Sequence, residues 1–298
     1  MARVLLVDGH NLAFRSYYGI GELNRRDGFP TGAIFGYAST IWRLEDTIRP
    51  EYGAVFFDLG RSAQRVDLLP EYKAHRKPMP EQLRLQLPHV RRLAGLMAST
   101  VIERQGVEAD DLLASQAIVE AARGNSVAIA SSDKDFAQIV SQNITLWRPP
   151  AVGSPSFRWS PMGPAEVSKK FSVSPHQIVD YLSLVGDAAD NVPGIPRIGA
   201  KTAARLLQFY GSVEGIFAHR GELTTTIAKN LHTFADELER NRRLIAFDLS
   251  LSPGPLERRP IDCQALVDFL CEFELDSLIR KAVKRYSLRQ SSLFPSEA

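Results

Sequence analysis

Four short apolar runs interrupt an otherwise mixed sequence, at residues 4–7, 54–57, 127–130 and 144–147. Each has the length of a strand buried on both faces and is bounded by polar or turn-forming residues. Between them, apolar positions recur at helical spacing over 31–48, 80–98 and 109–122, the last ended by Gly124. Residues 133–140 read as one short helix. Strands alternating with helices predict an α/β region, a mostly parallel sheet with helices on both faces. Five prolines and two glycines then break the rhythm over 148–164. Beyond them the pattern is helical. Ser174-Pro175-His176-Gln177 has the form of a capping box with Pro at the first helical position. Further helices are expected over 199–210, 223–247 and 264–284. The division is an α/β domain over 1–160, an all-α domain over 161–286 and a polar, disordered tail over 287–298.

Composition narrows the class without naming a partner. The 298 residues carry 36 basic and 34 acidic side chains, a net charge of +2, so any nucleic-acid surface must come from local clustering. Cys263 and Cys271 are the two cysteines, and their spacing matches no zinc or disulfide framework. No apolar stretch approaches the length of a membrane span or a signal-peptide core. A soluble, cytoplasmic protein without a membrane partner is expected, and nothing argues for more than a monomer.

The acids are placed unusually. Asp8, Asp58 and Asp133 each directly follow a predicted strand, and in an open α/β sheet sites form outside those carboxyl ends. Glu108, Asp110 and Asp111 open a helix, Asp135 follows Asp133 by two, and Asp187 and Asp190 are one helical turn apart. Singly, such residues are usually turn formers or complements to a helix dipole. Jointly they are harder to dismiss. Two carboxylates 4 Å apart repel by roughly 4 kcal/mol at an effective dielectric near 20, so a convergent set needs cations. Hard divalent ions with oxygen ligands, Mg²⁺ or Mn²⁺, suit it, and the chemistry suggested is phosphoryl transfer.

Arg61, Arg65, Lys73, His75, Arg76 and Lys77 follow Asp58 and suggest a clamp on a phosphate backbone; a solvated, charge-rich helix is the plainer reading. Tyr72 among them could stack on a base, although a lone Tyr more often packs. Residues 193–202, Pro-Gly-Ile-Pro-Arg-Ile-Gly-Ala-Lys-Thr, form a Gly-rich turn feeding a helix N-terminus, which offers N–H groups to a phosphate, with Lys201 adding charge.

These stretches together resemble the 5′→3′ exonuclease and flap endonuclease family, in its bacterial DNA polymerase I branch. Leu5-Leu6-Val7-Asp8-Gly9, Pro30-Thr31-Gly32-Ala33, residues 70–76, residues 106–111, Asp133-Lys134-Asp135 and residues 186–202 carry the likeness, in the family's order. The resemblance implies a PIN-like α/β nuclease domain with a helical arch over about 61–98, then a helix-hairpin-helix motif over about 186–210. It implies two divalent ions. Asp8, Asp58, Glu108, Asp110 and Asp111 match the inner site, and Asp133, Asp135, Asp187 and Asp190 the outer set, with some shared. Lys73 and Arg76 match residues that steady the scissile phosphate. Arg15, Arg65, Tyr72, Lys77, Arg197, Gly199, Lys201 and Thr202 are the expected DNA contacts, and similar proteins hold K⁺ on backbone carbonyls of the hairpin. The implied activity is two-metal hydrolysis of DNA, with RNA primers as a further substrate, near 5′ ends, flaps and junctions, in replication and repair. The expected setting is the bacterial nucleoid.

Three positions depart from the family pattern: Arg197 and Ser132 stand where Gly is common, and Gln64 where an aromatic is common. None removes an acid; Arg197 bears on duplex affinity and on the K⁺ site. The chain has no room for a polymerase, so a free-standing nuclease is expected. Gln290-Ser291-Ser292-Leu293-Phe294 resembles short peptides that bind sliding clamps, with Gln290, Leu293 and Phe294 as the candidate contacts. Other readings remain. A PIN-type ribonuclease would lack the Asp187/Asp190 pair and the hairpin. A haloacid-dehalogenase-like phosphatase needs an acid where His10 stands. A DNA-binding protein without strong catalysis would be expected to lose some of the nine acids.

Overall fold

The computed structural model describes residues 1–60, 63–97, 99–151, 158–256 and 260–293. Arg61 of the basic stretch and Phe294 of the tail lie outside them. Six strands form one sheet: β1 (Arg3–Asp8), β2 (Tyr52–Leu59), β3 (Thr100–Gln105), β4 (Ser126–Ala130), β5 (Ile144–Arg148) and β6 (Ser160–Met162). Their order is β3-β2-β1-β4-β5-β6, parallel throughout except for β6, which runs antiparallel to β5. The four apolar runs are the four central strands. Val4, Leu6, Phe56 and Ile129 face one apolar cluster and Leu5, Val7, Val55 and Phe57 the other, so both faces are buried. The edge strand β3 was not expected from the sequence. Its Glu103-Arg104-Gln105 half is exposed and carries no apolar run.

Helices α1 (Gly9–Ile20), α2 (Gly32–Ile48) and α4 (Glu81–Leu96) cover one face, and α5 (Ala109–Ala122) the other. The stretch expected to arch as a whole, 61–98, divides. Leu83, Val90, Leu93 and Ala94 of α4 are buried in the α1–α2 cluster, so α4 covers the sheet. The short α3 (Ala63–Leu68) and the turns after it instead reach the helical half: Arg65 Nε donates to the Leu244 carbonyl and the Lys73 N–H to the Asp190 carbonyl.

The second half contains α6 (Pro164–Phe171), α7 (Ile178–Val185), α8 (Ala200–Tyr210), α9 (Val213–Ala218), α10 (Thr225–Thr233), α11 (Ala235–Ile245), α12 (Cys263–Glu272) and α13 (Asp276–Leu293). The expected helix over 223–247 breaks at Phe234, and that over 264–284 at Glu274, a left-handed residue. Helices α6 to α11 bury Leu182, Leu207, Leu231 and Leu244 in the α5 cluster. The chain then crosses to the opposite face, where Leu266, Phe269 and Tyr286 of α12 and α13 join α2 and α4. Trp42 Nε1 donates to the Tyr286 hydroxyl at 2.6 Å, fastening that return. The region 161–286 therefore packs on both faces of the sheet. The tail also differs from expectation: α13 continues to Leu293, because neither Gly nor Pro interrupts the chain before Pro295. Gln290 and Leu293 thus lie on helical backbone.

Candidate active site

The acids gather because the strands are parallel and in register. Asp8 pairs with Phe56 and Val7 with Ala130, so β1, β2 and β4 end side by side. Asp8 ends β1, Asp58 is the penultimate residue of β2, and Asp133 lies three residues beyond β4. The plain reading of these acids holds in part, since each uses one oxygen on a backbone N–H, local for all but Asp58. Asp8 caps α1 by accepting the Asn11 N–H at 3.0 Å. Asp58 accepts the Ala109 N–H at 2.7 Å, Asp133 that of Asp135 at 2.9 Å and Asp187 that of Ala189 at 3.0 Å. These bonds fix the carboxylates while leaving acceptor capacity toward the site.

Two groups result. Burial, with the charges of Asp133 and Asp58 adding to it, raises Asp8 to about 7. Burial beside Asp8 and Asp133 pushes Asp110 well above the usual carboxylate range. In the second group, carboxylate oxygens of Asp135, Asp187 and Asp190 all lie within 4.8 Å of one another. Burial and Asp133 raise Asp135 to about 7, against the pull of Lys134. Asp187 and Asp190 do not share a helix face. They lie on a hairpin after α7: Asp187 ends the two-residue strand β7 (Gly186–Asp187), and Asp190 is in the turn before β8 (Val192–Pro193). Gly194 packs so closely there that a Cβ would sit 2.1 Å from the Val185 carbonyl oxygen.

Two expected ligands stand apart. Asp111 is next to Asp110 on α5, about 100° around the helix, and it faces Arg65. Arg65 Nη1 and Nη2 donate to its two oxygens, each at 2.8 Å, and the Asp248 N–H donates to Oδ1. Asp111 is therefore part of a buried ion pair. Glu108 accepts from Arg65 Nη1 and Lys73 Nζ, both at 2.8 Å, and lies between those cations. Arg65 is itself 7% exposed, which removes it from the expected DNA surface. Tyr72 is also buried and donates its hydroxyl to Asp190 at 3.1 Å, so it is not placed to stack on a base.

Lys73 and Arg76 do reach the acids. Lys73 Nζ lies 3.8 Å from Asp190, and Arg76 Nη2 donates to Asp190 at 2.7 Å. The Lys73 backbone is left-handed, φ +56°, a conformation that costs an L-residue roughly 1–2 kcal/mol. Three bonds to the acidic turn hold it: its own N–H to the Asp190 carbonyl, Tyr72 to the Asp190 carboxylate, and Asn191 Nδ2 to the Glu71 carbonyl. Burial lowers the Lys73 pKa, but the carboxylates of Glu108 and Asp190 outweigh it and hold the ammonium above its ordinary value. A 150 Å³ cavity lined by Asp58, Tyr72, Lys73, Arg76 and Glu108 opens beside them.

Lys77, Arg197, Gly199 and Lys201 are exposed, and Thr202 is half-buried in the first turn of α8. Arg15 donates from Nη2 to the Pro150 carbonyl at 2.7 Å. Arg197 has φ +68°, the reason Gly would suit it. Several supporting residues were not among the expected site residues. Ser131 Oγ donates to Asp8 Oδ2 at 2.8 Å and accepts the Asp133 N–H at 3.0 Å. His10 Nδ1 accepts the Asp58 N–H at 3.1 Å. Lys134 Nζ contacts Asp135 and Asp187. Of these, only the Lys between two acids could have been noticed beforehand.

Comparison with known proteins agrees with this geometry. Residues 3–172 match the N-terminal resolvase-like domain of 5′-3′ exonucleases, and 173–263 their C-terminal SAM fold. A 5′-3′ exonuclease of Aquifex aeolicus is 33% identical, covering 99% of this chain and 100% of its own length. The DNA polymerase I of Rhizobium leguminosarum is also 33% identical over 98% of this chain, which spans only 29% of that protein. Among solved structures, phage T5 5′-exonuclease with bound zinc superposes with a TM-score of 0.69 at 22% identity, covering 95% of this chain and 98% of that one. The catalytic core of Rad2 with a DNA substrate superposes with a TM-score of 0.59 at 13% identity, covering 96% and 91%. With both family domains in sequence and the acids at the carboxyl edge of the sheet, the chain belongs to the 5′-3′ exonuclease family.

Proposed function

We propose that the acidic edge holds two divalent cations, Mg²⁺ or Mn²⁺, and that the protein hydrolyses DNA phosphodiesters near 5′ ends and flap junctions. The convergence of two acid groups from different strand ends and from the turn after α7 carries this reading. The donor set fits such ions. It consists of hard carboxylate oxygens, and the nearest imidazole, His10, has its Nδ1 engaged by backbone. When bound, the ions supply Lewis acidity to phosphate oxygens and make water a stronger nucleophile. Asp8, Asp58, Asp110 and Asp133 would hold one, and Asp135, Asp187 and Asp190 the other. All come from one chain, so a monomer completes the site.

The chain's own residues then bind and orient. Lys73 and Arg76 are paired with Glu108 and Asp190. Phosphate oxygens arriving in the adjoining cavity offer them a second anionic partner, and charge growing there meets cations already in place. Lys73 stays protonated, acting as a fixed charge. Its anchoring to the turn of Asp190 ties the phosphate clamp to the outer acids. Unpairing the terminal nucleotides costs a few kcal/mol, less at frayed ends and flaps, which favours those substrates. Exposed Arg197 and Lys201 at the start of α8 would hold the duplex by its phosphates. A panel of 5′-labelled 5′-flap, 3′-flap and single-stranded DNA tests the proposal. Mg²⁺-dependent cutting near the 5′ junction is expected; equal cutting of all three, or cutting in EDTA, would overturn it.

A further inference from the structure

At the carboxyl end of β5, cations gather without acids. Arg148 ends that strand, and its Nη2 lies 3.5 Å from the carbonyl of Ser132, the residue before Asp133. Its Nε is buried with no hydrogen-bond partner. Arg15 reaches the same place from α1, where its guanidinium donates to the Pro150 carbonyl, two residues beyond Arg148. Lys170, exposed on α6, is close enough for Arg148 and Lys134 to act on it. Partial burial is the main cause of a pKa lowered to about 8, and those two cations add to it. Lys134 is spoken for by Asp135 and Asp187. Among the described residues, no carboxylate pairs with Arg15, Arg148 or Lys170. Elsewhere around the site the cations are matched, as Arg65, Lys73 and Arg76 are.

Strand order places this group. Lys73 and Arg76 line the cavity beside Asp58 of β2, and β5 lies three strands away, past β1 and β4. At about 4.8 Å per strand the two cationic groups are roughly 14 Å apart, with the acids between them. We propose that Arg148 and Lys170, beside Arg15, form a second phosphate-binding site that grips the substrate strand on the far side of the acidic edge from Lys73 and Arg76. The ligand is a phosphodiester of a nucleic-acid strand. It completes the donors that Arg148 leaves unused and relieves the repulsion that Arg148 exerts on Lys170. A strand held at both ends is fixed across the acids. This rests on reading the acidic edge as a phosphodiester-hydrolysing site.

The test uses full-length protein and a labelled 5′-flap in EDTA, so that binding is read without cleavage. Single linkages of the flap strand are replaced one at a time by neutral methylphosphonates. In the wild type, neutralising the linkage seated on this site is expected to weaken binding severalfold. In the Arg148→Gln/Lys170→Gln variant that penalty should vanish, and the slope of log Kd against log salt should flatten by about 0.7–0.9 for the lost contact. Arg148→Lys/Lys170→Arg should restore both, and Lys169→Gln, an exposed neighbour on α6, should leave the linkage penalty intact. A double variant with every wild-type penalty still present overturns the proposal and leaves the reading of the acidic edge standing. Wild-type protein that binds no flap overturns both. Lys170 is exposed, so Lys170→Gln alone carries the test if Arg148→Gln does not fold.

Discussion

Replacing Arg65 separates a structural cation from a DNA contact. Its guanidinium makes two bonds to Asp111 and one to Glu108, all at 2.8 Å, and donates from Nε to the Leu244 carbonyl at 3.1 Å. It joins α3 to α5 and α11 and is almost wholly shielded from water. Arg65→Met keeps the apolar stem but leaves Asp111 and Glu108 as buried anions, with Glu108 still paired to Lys73. Breaking a buried pair on one side costs about 3–5 kcal/mol, because the remaining charge loses its compensation. At roughly 2–3 °C per kcal/mol for a chain of this size, the thermal midpoint should fall by about 6–15 °C. Arg65→Met/Asp111→Leu removes both members and should recover a large part of that loss. Differential scanning calorimetry reads the midpoints, and anisotropy reads flap binding well below them. An unchanged midpoint with a flap affinity reduced tenfold or more would refute the argument and return Arg65 to the phosphate path.

Further outcomes follow from the same geometry. The raised values of Asp8 and Asp135 make the metal-free protein bind protons more tightly when folded. That stabilisation of a few kcal/mol is fully present below pH 4 and is lost as pH rises through 7, so Mg²⁺ should raise the melting midpoint more at pH 8 than at pH 5.5; an equal rise at both would contradict the burial argument. Ser131→Ala removes the hydroxyl donor to Asp8 and should weaken divalent-ion affinity about tenfold or more by titration calorimetry, with little change in fold. Arg197→Gly should stabilise the protein by about 1 kcal/mol in denaturant titration, since φ is +68° there, while weakening duplex binding. Gly194→Ala should lower cleavage sharply and reduce the midpoint, because no room exists beside the Val185 carbonyl and the displaced turn carries Asp187 and Asp190.

What could be read from the sequence was local. An apolar run ending at an Asp is enough to put Asp8 at the edge of a parallel sheet, and a Gly position filled by Arg197 was visible before its left-handed backbone was known. What could not be read depended on partners distant in the chain. Asp111 looks like Asp110 in sequence, and only Arg65, 46 residues earlier, turns it away from the site. Arg65 looks like a surface cation until the Leu244 carbonyl is found behind it. The Asp187–Asp190 spacing suits a helix and a turn equally, and the close packing of Gly186 and Gly194 selects the turn. The β3 strand was invisible because half of it faces water. The return of α12 and α13 to the opposite face is a long-range packing result with no local pattern.

The most direct measurement compares wild type with Asp110→Asn on a 5′-labelled flap duplex, in Mg²⁺ and in EDTA, at matched folded fractions. Asp110 is held among Asp8, Asp58 and Asp133, and the substitution keeps its shape while removing its charge. The account predicts Mg²⁺-dependent cutting near the 5′ junction by the wild type and none by the variant, with flap binding retained. Cutting by Asp110→Asn at the wild-type rate, or by the wild type in EDTA, would contradict it.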